Sequence, residues 1–197
     1  MPAVVEGAIV SPRARHDDED ILEATIRVIA EHGVSGATVD TVAARSGVSK
    51  ATLYRHWGSR ARLIHAALSS LEGPYVETEG DSLREDLTVL LWHLVEFFNR
   101  PDIGRVFASF IDAAARDPEL AELHQQTMRR ARASFEQVVR RGIERGELPD
   151  DVDIGLFIDV VRSPFIYRRV VAQSPVTPLD IAPIVDLVLA AFSRVPN

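Results

Sequence analysis

Residues 47–62 read GVSKATLYRHWGSRAR, and their side chains are of kinds that can hold a polyanion. Lys50 and Arg55 supply positive charge, Thr52 and Tyr54 hydroxyls, and His56 a ring N–H, all able to meet phosphate oxygens or base edges. Between Asp40 and Glu72 there is no carboxylate, while Arg45, Lys50, Arg55, Arg60 and Arg62 are basic. Yet the 197-residue chain carries a formal charge of -7. Positive charge is therefore gathered in one segment of an acidic protein. A surface that neutralised phosphates would bind nucleic acid with a steep salt dependence, because each contact releases counterions. Taken singly, each of these residues also reads as part of a solvated helix face.

The spacing of apolar residues says what must position them. Val39, Val42 and Ala43 mark a short helix over 39–46, which Gly47 can end by entering the left-handed region. Ser49 suits the N-cap of a two-turn helix whose Leu53 and Trp57, four apart, point inward. Gly58 breaks that helix, and Ser59 caps a fourth with Leu63, Ala67 and Leu71 on its inner face. Ile21, Thr25, Val28 and Ile29 mark a longer helix ahead of them, running from Asp17 to Gly33. The acidic run at residues 17–20 then lies at its first turn, where carboxylates meet unpaired N–H groups. Two short helices joined by a tight turn and braced by a longer one form a helix-turn-helix. Its second helix would enter the major groove with Lys50, Thr52 and Arg55, flanked by Arg45 and Arg60.

Helical spacing continues beyond Pro74, with Leu83, Leu87, Leu90, Leu91, Leu94 and Phe98 in one segment and further segments over 103–116, 118–146, 152–171 and 178–195. No run of alternating strand pattern occurs. The expected fold is all-α, with about nine helices. It divides into a flexible arm over 1–16 carrying Arg13 and Arg15, a three-helix helix-turn-helix domain over 17–65, and a larger helical domain over 66–197. The chain has no cysteine, which removes disulfides, thiolate metal sites and thiol nucleophiles. It has neither a basic-then-apolar leader nor 18 uninterrupted apolar residues, so a cytoplasmic protein without a membrane partner is expected. His-Glu-x-x-His, Walker, Gly-x-Ser-x-Gly and paired Glu-x-x-His motifs are absent from the sequence. Neither an enzyme nor a cofactor or metal is expected.

The run TVDTVAARSGVSKATLYRHWGSR at residues 38–60 resembles the DNA-binding signature of the TetR family of bacterial transcriptional regulators. The resemblance implies an all-helical homodimer whose helix-turn-helix reads a palindromic double-stranded DNA operator and whose larger domain takes a small-molecule effector, most often to release a repressor. By the same resemblance Thr38 contacts a phosphate, Ser49, Lys50, Ala51, Thr52 and Arg55 face bases or backbone, and Tyr54 and His56 hold phosphates. Arg60 fills a position commonly Lys, and Trp57 one commonly Phe. The effector site falls among helices spanning 83–170, with Trp92, Phe107, Phe110 and Met128 as candidates for either its lining or the core; His93 and His124 point neither way. The last two helices resemble a four-helix dimer interface, with Phe157, Val161, Phe165, Ile184, Val188 and Phe192 as candidates. These six also read as core faces of amphipathic helices. The rival function is a ligand-binding helical dimer of the same fold that lacks operator recognition.

Overall fold

The computed structural model describes residues 12–71 and 77–193, with side chains from residue 18 onward in the first helix. Residues 1–11 of the expected arm, and the side chains of Arg13 and Arg15, lie outside that range. Among the described residues there are nine α-helices and no strand: α1 (Pro12–Gly36), α2 (Val39–Ser46), α3 (Lys50–Trp57), α4 (Arg60–Ser69), α5 (Leu83–Phe98), α6 (Ile103–Ala114), α7 (Pro118–Glu144), α8 (Ile154–Ile166) and α9 (Ile181–Phe192). No helix among them is long and apolar enough to cross a membrane.

Helix starts follow local capping chemistry. Thr38, Ser49, Ser59, Ser82 and Asp153 each accept a backbone N–H from three residues ahead, satisfying one of the donors a helix N-terminus leaves free. Gly47 sits at φ +74 and closes α2 with its own N–H on the Ala43 carbonyl. At α1 the sequence expectation needs correcting. The helix already runs at Pro12, so the acidic run lies inside it and no carboxylate occupies the first turn. Gly33, expected to end α1, breaks it at φ +69, and a last turn follows to Gly36.

Three apolar clusters hold the elements together. Ile21, Val39, Val42, Leu53 and Leu63 join α1 to α4 around the two short helices. Val28, Ile29, Val34, Ile64, Val106, Phe110 and Leu120 tie α1 and α4 to α6 and α7, so the N-terminal helices are seated directly on the C-terminal ones. The largest cluster packs α5, α7, α8 and α9 through Leu87, Leu91, Phe98, Phe135, Phe157, Phe165 and Val185.

That packing corrects the expected dimer residues. Phe157, Val161, Phe165 and Val188 are buried within this chain, and Ile184 and Phe192 are half-buried against the same core. The amphipathic pattern was read correctly, but α5 and α7 supply the covering surface. The large apolar residues that α8, its continuation and α9 leave exposed are Leu156, Val160, Tyr167, Val171 and Leu187. Pro164 does not end α8, which passes into a π-helical turn at Tyr167–Val171.

One buried charge braces the bundle. Asp86 on α5, fully buried, accepts the Gly80 N–H at 2.9 Å and Arg141 of α7 at 3.0 Å, with Arg145 at 3.5 Å. Burial pushes its carboxyl up, but hydrogen bonds from Thr78, Gly80 and Arg141 outweigh that and hold it below the usual carboxylate range.

Candidate nucleic-acid interface

Leu53 on α3 is 2% exposed and Trp57 packs half-buried beside it, which fixes the rotation of the helix. The opposite residues are then outward: Lys50, Ala51, Tyr54, Arg55 and His56 are exposed, with Thr52 half-buried. Thr38, Arg45 and Ser49 are exposed as well. Thr38 and Ser49 spend a side-chain oxygen on capping, accepting Thr41 N–H and Thr52 N–H at 3.1 Å. Each hydroxyl also shares a hydrogen bond with a neighbouring one, Thr38 with Thr41 at 3.1 Å and Ser49 with Thr52 at 2.9 Å.

Arg60 is different. It is half-buried, and its guanidinium donates to the Ala37 carbonyl at 2.9 Å and to the Val34 carbonyl. The sequence reading placed Arg60 on the DNA surface; it is turned inward because the carbonyls of Val34, in the last turn of α1, and Ala37, just beyond it, face its guanidinium, whose fork can serve both.

The basic segment is also less isolated in space than in sequence. Arg45 makes a two-pronged pair with Glu31 of α1 at 2.9 and 2.5 Å, and hydrogen bonding to that guanidinium holds the Glu31 carboxyl below its ordinary range. Lys50 pairs with Asp40, His56 Nδ1 lies 3.1 Å from Asp18, and Arg62 lies 3.4 Å from Glu119. Arg55 alone among these cations has no partner among the described residues. The pairs are exposed, and such pairs contribute about 0–1 kcal/mol each, so a phosphate can displace the carboxylate. Sequence reasoning missed the four carboxylates, since nothing local ties Asp18 or Glu31 to residues on later helices.

A small cavity lies behind this unit, enclosed by α4, α6 and α7 with Phe97 of α5. Phe107, Phe110 and Met128 line it, as do His65 and His124; Trp92, the other candidate, is exposed at 46% on α5 and does not. His65, which sequence reasoning did not single out, is within 2.6 Å of Thr127 Oγ1 through Nε2. Burial lowers the pKa of both histidines, with the charge of Arg130 adding to the effect at His65.

One residue that links the cavity wall to the helix-turn-helix unit is Val34. Val34, just past the break in α1, donates its N–H to Ser109 Oγ of α6 at 2.6 Å, while its carbonyl takes Arg60 of α4. Both α4 and α6 contribute side chains to the cavity wall.

Residues 21–67 match the family described as bacterial regulatory proteins, tetR family, and residues 78–188 match the tetracyclin repressor-like C-terminal domain. YdeS, an uncharacterized HTH-type transcriptional regulator of Bacillus subtilis (strain 168), is 30% identical over 93% of this chain and 92% of its own length. Among solved structures, the TetR family transcription regulator SCO0332 aligns with a TM-score of 0.64 at 26% identity, covering 91% of this chain and all of that one (100%). FadR of Bacillus subtilis, solved in complex with stearoyl-CoA, shares the fold with a TM-score of 0.73 at 16% identity, over 88% of this chain and 98% of its own.

Proposed function

The chain belongs to the TetR family of bacterial transcriptional regulators, and we propose that it acts as a cytoplasmic, dimeric repressor whose α3 reads a palindromic operator and which a small effector releases. The observation that carries this is the outward side of α3, where Tyr54 is 51% exposed and Arg55 has no partner among the described residues while Leu53 locks the helix from behind. We assign the reading head to residues 17–65 and effector binding and dimerisation to 66–197. Phosphate contacts fall to Thr38, Tyr54 and His56, base and backbone contacts to Lys50, Ala51, Thr52 and Arg55, and Arg60 becomes a positioning residue. Leu156, Val160, Tyr167 and Leu187 supply the apolar face for a second copy, which would set two copies of α3 about 34 Å apart or at a multiple of the helical repeat.

Effector entry would act through Val34. Its two backbone groups are held by α4 and α6, so separating these helices at the cavity strains one of the two bonds and shifts the start of α2.

Binding to the DNA upstream of its own coding sequence, measured across a salt series, tests the reading. Steeply salt-dependent binding to a palindromic site is expected. Salt-insensitive binding, or none to any such site, would overturn it. The pairing of Arg45, Lys50 and His56 with carboxylates favours a second reading, a ligand-binding dimer without operator recognition, and the same experiment separates the two.

A further inference from the structure

We propose that the effector is an uncharged, mainly apolar molecule with one hydroxyl group, received between α4, α6 and α7 with that hydroxyl on Nδ1 of His124. The proposal rests on the cavity being the effector site.

The first observation is an unsatisfied atom. Nδ1 of His124 is buried and has no hydrogen-bond partner among the described residues, although the ring is well fixed: Phe110 stands edge-on to it at 5.0 Å and Phe107 at 6.5 Å. An apolar ligand that fills this space leaves Nδ1 unpaired, whereas a ligand hydroxyl pairs with it. His65, the other ring in the wall, already has Thr127. His124 is thus the ring available to orient a ligand, with the Ser69 hydroxyl also in the wall.

The second observation is the absence of counter-charge. Among the described residues, no Lys, Arg, Asp or Glu lines the cavity. A carboxylate, phosphate or ammonium entering there would lose its hydration with nothing to replace it, a penalty far larger than one hydrogen bond returns. The two histidines do not alter this, because burial favours their neutral forms.

The choice of a hydroxyl follows from the imidazole. In a neutral ring Nδ1 either donates or accepts, according to the tautomer. A hydroxyl can meet both cases, whereas a carbonyl meets only one. The enclosed volume is about 20 Å³, room for one water molecule. A ligand larger than that must displace wall side chains, and Met128, unbranched and readily re-packed, is the one best able to yield. The adjacent rings of Phe107 and Phe110 suit an aromatic body.

Calorimetric titration of the full-length protein with four probes tests this: 4-ethylphenol, 4-ethyltoluene of the same shape without the hydroxyl, 4-ethylbenzoate, and stearoyl-CoA. The phenol should bind about tenfold more tightly than the toluene, as expected for one satisfied buried group, and the two anions should bind more weakly than either. His124→Phe keeps an aromatic ring and should abolish the preference while still binding 4-ethyltoluene; circular dichroism and thermal melting check that this variant folds. Tighter binding of either anion, no binding of any neutral probe, or an undiminished preference in His124→Phe would overturn the proposal. Operator binding is followed in the same samples. Its absence sinks the regulator reading whatever the probes do, and phenol binding that leaves the operator complex intact removes the cavity's regulatory role but not its ligand chemistry.

Discussion

Arg55 and Arg60 lie five residues apart and do opposite work. Arg55 projects from α3 with no protein partner among the described residues, so Arg55→Ala should weaken operator binding, lower the slope of log affinity against log salt by about one, and leave the melting temperature unchanged. Arg60 serves the carbonyls of Val34 and Ala37, residues that are 0% and 1% exposed. Denaturant titration of Arg60→Ala should therefore show a loss of about 1–3 kcal/mol, the cost of leaving a buried carbonyl unmet. An unchanged midpoint, with operator affinity lost instead, would return Arg60 to the DNA surface. The sequence told the residue types and the outward side of α3, because Leu53, Trp57 and the Ser49 cap are local signals. It did not tell that Arg60 turns inward, since its acceptors sit more than twenty positions earlier in the chain.

Helix boundaries were legible wherever a cap or a glycine fixed them, as at α2 and α3, where Thr38, Gly47 and Ser49 carry the information within one turn. What covers a helix was not. Phe157 and Val161 have the spacing of an inward face, but the spacing does not say whether the opposing surface comes from the same chain or another. The junction at Val34 was equally hidden, because Ser109 reaches it from α6 across 75 positions. Its role can be tested at the level of the element. Ser109→Ala removes the bond to Val34 N–H and leaves α4 as the single grip, so effector and operator should each bind within a few-fold of the unaltered protein, while the effector's power to release the operator falls. Gel-shift titrations with and without 4-ethylphenol measure that ratio; a ratio equal to that of the unaltered protein would show that Ser109 carries no coupling. Gly33→Ala should be worse, since φ +69 strains any side chain there and a Cβ would come within 3.0 Å of Ser109 Oγ.

At the scale of the whole molecule, stability against acid and the proposed assembly into a dimer are separate matters for the C-terminal helices. The Asp86 carboxyl has a folded pKa below its ordinary 3.8, so its stabilising contribution is complete above that value and is lost as pH falls through the lower, folded one. Asp86→Ala should cost about 3 kcal/mol at neutral pH, leaving Arg141 without its carboxylate and Arg145 with Glu147 alone, and should flatten the acid limb of a stability-pH curve. Leu187→Arg, on the exposed side of α9 where the residue is 68% accessible, should leave helicity intact and yield a monomer by sedimentation, with operator affinity collapsing because one half-site remains. A stable dimer of that variant would place the interface elsewhere. The carboxylates seated on Arg45, Lys50 and His56 have a consequence for the search along a chromosome. Arbitrary DNA must evict Glu31, Asp40 and Asp18 for contacts that carry no sequence information, whereas the correct site adds base contacts in return. If α3 contacts DNA as proposed, these three acids act as a tethered competitor that shortens each visit to the wrong sequence and keeps more of the protein free to find the right one.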